Sequence, residues 1–98
     1  MAVRSISRWA LPKLDMALLK RAKAYSVKHG AQDFLVSQIF TGPFTGQYLI
    51  AAVYSDMADY GKAVAANSTS SDFKKLMADT AKTGAVLHER TVIIGVDL

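Results

Sequence analysis

The stretch from Asp33 to Ser55 limits the fold more than any other part of the chain. Two runs of β-forming residues, Asp33–Thr41 and Gln47–Ser55, flank Gly42-Pro43-Phe44-Thr45-Gly46, which carries the glycines and proline that tight turns use. The pair reads as an antiparallel hairpin. Side chains alternate across a strand, so Phe34, Val36, Gln38 and Phe40 share one side of the first run, and Leu35, Ser37, Ile39 and Thr41 share the other. In the second run Tyr48, Ile50, Ala52 and Tyr54 face one way and Leu49, Ala51 and Val53 the opposite way. Large apolar groups therefore lie on both sides. A sheet with one face in water alternates apolar with polar residues, so this hairpin needs cover on two sides.

The flanking segments supply one of the two covers. Val3 to Leu11 is rich in β-formers and stops at Pro12, which is suited to opening a helix. From Lys13 to His29, Leu14, Leu18, Ala22 and Tyr25 recur at helical spacing, with Lys13, Lys20, Arg21 and Lys28 on the opposite side. Gly30 is placed to end that helix. After the hairpin, Ser55 or Asp56 caps a second helix in which Met57, Tyr60, Gly61 and Val64 are expected inside and Asp59 and Lys62 outside. Asn67-Ser68-Thr69-Ser70-Ser71 interrupts the period, and a helix restarting at Ser71 or Asp72 buries Phe73, Leu76, Met77, Thr80 and Ala81 before Gly84. Val86 to Val96 is a β-branched final strand, with Val92, Ile94, Val96 and Leu98 on one face and Gly95 on the other.

The order strand, helix, hairpin, broken helix, strand predicts an α+β, ferredoxin-like βαββαβ sandwich. It is a four-stranded antiparallel sheet with its helices on one face, occupying residues 1–98 as a single domain. The far face has no cover within the chain. An exposed apolar patch of that kind predicts a homodimer formed through the sheet face.

Composition excludes several function classes. At 51% hydrophobic and 20% charged residues the chain has material for a core, unlike a disordered segment. Cysteine is absent, which removes disulfides, thiolate metal sites and a cysteine nucleophile and suits a cytoplasmic setting. Arginines on each side of Ile6 break the apolar run that a secretory signal needs, and no window approaches the ~20 apolar residues of a membrane span. The net charge of +4 comes from scattered cations with Asp15, Asp59, Asp72 and Asp79 among them, so neither nucleic acid nor membrane is expected as a partner. Walker, Gly-x-Gly-x-x-Gly, His-Glu-x-x-His, EF-hand and Gly-x-Ser-x-Gly patterns are all missing. Two histidines and one glutamate give no metal-ligand spacing, so neither metal nor cofactor is expected.

Taken with the element order, Gly42-Pro43 through Gly46, Asp56-Met57-Ala58-Asp59-Tyr60 and Ser71-Asp72-Phe73-Lys74-Lys75-Leu76 give a chain that resembles the dimeric α/β-barrel superfamily. That superfamily includes antibiotic-biosynthesis monooxygenases, haem-degrading monooxygenases, polyketide cyclases, muconolactone isomerase and NIPSNAP-like proteins. The resemblance implies a ligand pocket between the sheet and the helices, and activities that often need no metal or organic cofactor. The histidine, asparagine and tryptophan of the haem-degrading members do not match Trp9 and Asn67 position by position, so haem binding is not carried over.

His29 and His88 are the candidate catalytic bases, because a neutral imidazole takes a proton near pH 7. His29 lies one turn beyond Tyr25 on the apolar side of the first helix, although ending that helix is the simpler account of it. His88 precedes the last strand beside Glu89 and Arg90, where edge polarity accounts for it equally well. Tyr25, Tyr48, Tyr54, Tyr60 and Trp9 are candidates to line a pocket for a small hydrophobic ligand, with core packing as the alternative for each and Arg8 and Gln38 in reserve. Two functions follow: a cofactor-independent monooxygenase, cyclase or isomerase acting on a small hydrophobic or phenolic compound, or a non-catalytic homodimer that binds a small molecule or a protein.

Overall fold

The computed structural model describes residues Met1 to Leu98. Its elements are β1 (Val3–Ala10), α1 (Met16–Lys28), β2 (Asp33–Gln38), β3 (Tyr48–Tyr54), α2 (Met57–Thr69), α3 (Ser71–Lys82) and β4 (Val86–Ile94). The strands lie in the order β2-β3-β1-β4, and every neighbouring pair is antiparallel. This is the expected ferredoxin-like arrangement, with its second helix broken in two. Ser70 makes the break: its N–H donates to the Ala66 carbonyl at 2.9 Å, closing α2, while its hydroxyl accepts from the Phe73 N–H at 3.2 Å, opening α3. Serine competes for backbone groups in this way and so favours helix ends over helix interiors.

Local chemistry moves two boundaries. α1 starts at Met16 because the Asp15 carboxylate accepts from the Leu18 N–H at 3.1 Å, leaving Pro12 and Lys13 in the connecting bend. β2 stops at Gln38 because Ile39 already belongs to the hairpin closure, donating to Gln47 at 2.8 Å and accepting from Gly46 at 2.9 Å. The loop then turns through Gly42 and Gly46 at φ of 105° and 91°, a region that glycine enters without a Cβ clash, and Phe40 is left 89% exposed. In α2 the inward stripe is not Met57, Tyr60, Gly61 and Val64. Met57 and Val64 are exposed, and the stripe runs through Tyr60, Ala63, Ala66 and Asn67. The small Ala63 at its centre lets α2 approach β3 closely. In α3, Leu76 is buried as expected, whereas Ala81 is exposed.

The molecule measures 36 × 34 × 18 Å. Its thin dimension fits one sheet and one layer of helices, each helix being about 10–12 Å across. No helix covers the second sheet face, which the hairpin loop reaches at Phe44. Registers place Asp33, Val53, Arg4 and Ile93 in one row across it, then Leu35, Ala51, Ile6 and Thr91, then Ser37, Leu49, Arg8 and Glu89. The hairpin contributes Val53, Leu35, Ala51 and Leu49 to this face together with the polar Asp33 and Ser37, and β1 adds two arginines. The Arg8 guanidinium sits 3.7 Å from the Phe44 ring centroid, donates to Gln47 and lies 4.0 Å from Glu89, so that cation is held flat against the face. No helix is long and apolar enough to cross a membrane.

Candidate functional site

Beneath the helices, β1 presents Val3, Ser5, Ser7 and Trp9, while β3 presents Tyr54, Ala52, Ile50 and Tyr48 in register with them. The two serines and Ala52 are small where a sheet floor under helices ordinarily carries large aliphatic groups, and the bulk missing there opens a void. It is a cavity of about 170 Å³ between the sheet, α1 and α3, with Leu18, Ala22, Tyr25, Phe73, Leu76 and Met77 among its upper walls. At one end the floor closes on a packed core of Val3, Ala31, Tyr54 and Ala63, with Tyr60 against it.

The polar groups of the cavity are few and mostly fixed. Tyr25 donates its hydroxyl to the Asn67 side-chain oxygen at 2.7 Å, tying α1 to α2 and leaving the Asn67 amide nitrogen free. Its ring lies 4.3 Å from that of His29 and 5.5 Å from that of Phe73, centroid to centroid. His29 both ends α1 and reaches the cavity. Its backbone N–H closes α1 onto the Tyr25 and Ser26 carbonyls, each at 3.2 Å, while its ring lines the cavity. Trp9 donates its indole N–H to Ser7 at 2.7 Å, which draws the ring along the floor. Tyr54 is 7% exposed, and its hydroxyl makes no hydrogen bond inside the chain. Burial raises its pKa above 10.0, Tyr60 and Tyr25 add to the rise, and only the charge of Arg90 opposes it, so Tyr54 is a neutral phenol with a free O–H.

The cavity thus unites Trp9, Tyr25, His29 and Tyr54. Tyr48 lies instead in a separate groove between α1 and β2, with Leu14, Met16, Phe34 and Val36. Tyr60 lies behind the cavity, its ring 5.6 Å from that of Tyr54 and edge-on to it. His88 is exposed where the β1–β4 register shifts, between Leu87 opposite Trp9 and Glu89 opposite Arg8, and does not line the cavity. Arg8 is on the other sheet face. The residues that sequence reasoning passed over are Ser5, Ser7, Asn67 and Arg90, all of which line the cavity. Ser5 and Ser7 carried a usable signal, being polar at alternate positions of a central strand in phase with Val3 and Trp9. Asn67 carried none, because it sits in a Ser/Thr-rich segment that reads as a helix break. No group of three or more metal-ligating side chains forms anywhere in the chain.

No protein-family profile matches the sequence, and no curated protein matches it. Solved structures do. An asparagine-to-alanine variant of SnoaB, a cofactor-independent oxygenase from Streptomyces nogalater, superposes with a TM-score of 0.73 at 13% identity over 99% of this chain and 95% of that one. An antibiotic-biosynthesis-monooxygenase-like protein from Chloroflexus aurantiacus J-10-fl gives 0.64 at 15% identity, also over 99% and 95%. A NIPSNAP family protein from Agrobacterium tumefaciens str. C58 gives 0.63 at 12% identity over the same shares. At such identities the likeness is one of fold: the chain shares the ferredoxin-like arrangement of these structures.

Proposed function

We propose that the chain is a cofactor-independent enzyme of the monooxygenase, cyclase or isomerase kind, acting on a small hydrophobic or phenolic compound held between the sheet and the pair α1 and α3. The observation that carries this reading is the ring of His29 in the same apolar cavity as Trp9, Tyr25 and Tyr54. An oxygenase or cyclase acting on an acidic phenol or enol begins by taking its proton, and an isomerase by taking one from a carbon beside a carbonyl. An imidazole is the side chain suited to that near pH 7. The Tyr54 hydroxyl and the free amide nitrogen of Asn67 are donors for the oxyanion that results, and fixed donors in a dry site stabilise such charge strongly. The fold shared with SnoaB, described as a cofactor-independent oxygenase, supports the reading. His88 and Tyr48 have no part in it, and Tyr60 acts only by packing against Tyr54.

The second reading, a non-catalytic binding homodimer, is favoured by one observation: no carboxylate orients the His29 ring, which makes no hydrogen bond in the chain. Oxygen uptake and product formation with a panel of small phenols, in the presence of a chelator, separate the two. Under the first reading His29→Ala lowers turnover about 100-fold or more and leaves the melting temperature nearly unchanged. Binding of phenols without turnover, or full activity in His29→Ala, discards the assigned base.

Either reading includes a second copy of the chain on the open sheet face, where Leu35 and Ile93 are 50% and 40% exposed. Sedimentation at micromolar concentration should show a dimer that Leu35→Asp converts to monomer, since a charge set against an apolar interface is not compensated. A wild-type protein that sediments as a monomer rejects this part.

A further inference from the structure

We infer that the ligand is a single-ring aromatic acid whose anionic group is held by Arg90. This deepens the reading of the cavity as a ligand site and rests on it. Size is the first argument. A cavity of about 150 Å³ lined by apolar side chains accepts benzene, so the roughly 170 Å³ here suits one substituted ring. A second fused ring would have to project from the cavity's open side or displace wall residues such as Phe73 or Met77.

Charge is the second argument, and it comes from register. Arg90 stands opposite Ser7 on the helix-facing side of the sheet and lines the cavity. Its sequence neighbour Glu89 projects to the other face, where it lies beside Arg8, so the acid nearest in sequence cannot neutralise Arg90. Arg21 and Lys82 share Asp79. Arg90 has no ion pair and no hydrogen bond in the chain. Among the residues lining the cavity the other cation is Lys13 and the acid is Asp15, whose carboxylate already caps α1. The cavity therefore carries net positive charge beside an apolar slot. A guanidinium is a planar fork that matches a carboxylate bidentately, and such charge-assisted bonds are the strong ones. Arg90 would bind the acid group while the ring lies over Ser5, Ser7 and Ala52, against Trp9. The neutral Tyr54 hydroxyl suits a second oxygen on that ring.

The test compares 4-hydroxybenzoate, its methyl ester and 6-hydroxy-2-naphthoate by calorimetry, with chemical-shift perturbation at Trp9 and Tyr54 to locate each. The expected result is that the acid binds the wild-type protein about tenfold or more tighter than the ester, and similarly tighter than the naphthoate. Arg90→Gln should abolish the preference by weakening only the acid, and Arg90→Lys should restore part of it. Arg90 is exposed on β4, so neither variant threatens folding. Equal binding of acid and ester, or a preference that survives Arg90→Gln, overturns the role of Arg90 while leaving the cavity as a ligand site. A naphthoate that binds as tightly as the benzoate overturns the one-ring limit. If no compound perturbs Trp9 or Tyr54, both this inference and the cavity reading fall.

Discussion

β1 and β4 are hydrogen-bonded to one another from Val3 opposite Ile94 to Ala10 opposite Val86, yet they inhabit different surroundings. β1 is a central strand: Val3 is fully buried, and all its residues but Arg4 are at least partly covered. β4 is exposed at every position, including Val86, Leu87, Val92, Ile93 and Ile94. Pairing in a ladder satisfies backbone groups, but burial needs a layer above and a layer below. α1 and α3 roof β1 and β3 and stop short of β4. The same gap that leaves β4 bare lets Arg90 reach the cavity from its side, so the incomplete roof serves the site as well as exposing the strand.

The largest expected difference between covered and uncovered sheet is in core truncation. Leu76, 5% exposed, is the α3 side chain buried over the sheet, and Leu76→Ala should cost about 3 kcal/mol, from lost burial plus the void that joins the existing cavity. Ile94, 52% exposed although it faces Val3 across the ladder, should lose no more than about 1 kcal/mol on the same change. Urea unfolding of both variants reads this directly. Similar losses would mean that β4 is covered in solution, as it would be if the second copy reached across the edge strand as well as the sheet face.

Much of this contrast was legible in the sequence, and the rest failed for identifiable reasons. The hairpin announced itself through Gly42-Pro43 and Gly46 between alternating runs, and the glycines after α1 and α3 marked their ends, Gly30 and Gly84 both having positive φ. Period alone misplaced the inward stripe of α2, because the hydrophobic weight of Met57 and Val64 outranked Ala63, and it is the smallness of alanine that permits close approach. The final strand was legible through its β-branched residues, but composition cannot show where a helical layer stops, so its exposure was not. The cavity was partly readable: Tyr25 and His29 are one turn apart. Its size depended on Ser5 and Ser7, which matter through the volume they leave empty. A search for reactive side chains has no reason to select them.

A smaller effect tests the covered end of β1 through pH. Tyr54 stands opposite Val3, and its pKa is raised above 10.0, first by burial and then by Tyr60 and Tyr25. The unfolded chain ionises this phenol first as pH climbs past 10, so the native state then holds the extra proton and stability falls with rising pH. The contribution is intact below about pH 10 and is lost as pH passes upward through the folded value. Tyr54→Phe should therefore lose less stability than the parent between pH 9 and pH 11, measured by denaturant unfolding at several pH values. Identical slopes would mean that water reaches this end of the cavity as freely as it reaches β4.

The smallest effect concerns how the roof is held. α1 has no buried residue, so packing alone fastens it loosely. Arg21 donates to Asp79 at 2.9 Å, joining α1 to α3 over the cavity, and Lys82 adds its charge at 3.9 Å. The hydrogen bond from Arg21 is the main cause of an Asp79 pKa below the usual carboxylate value. A lowered carboxylate stabilises the native state above the unfolded pKa, near 3.8, and that contribution disappears as pH falls from there through the folded value. Asp79→Asn should remove it at neutral pH and flatten the stability curve below pH 4. The pair is exposed, so the loss is small and shrinks further in high salt. The sharper readout is local: amide exchange in α1 should quicken in Asp79→Asn while exchange in β1 beneath it stays slow. Exchange that quickened equally in both would mean that α1 and the strand it covers open as one unit, and the difference between β1 and β4 would then depend on this single ion pair.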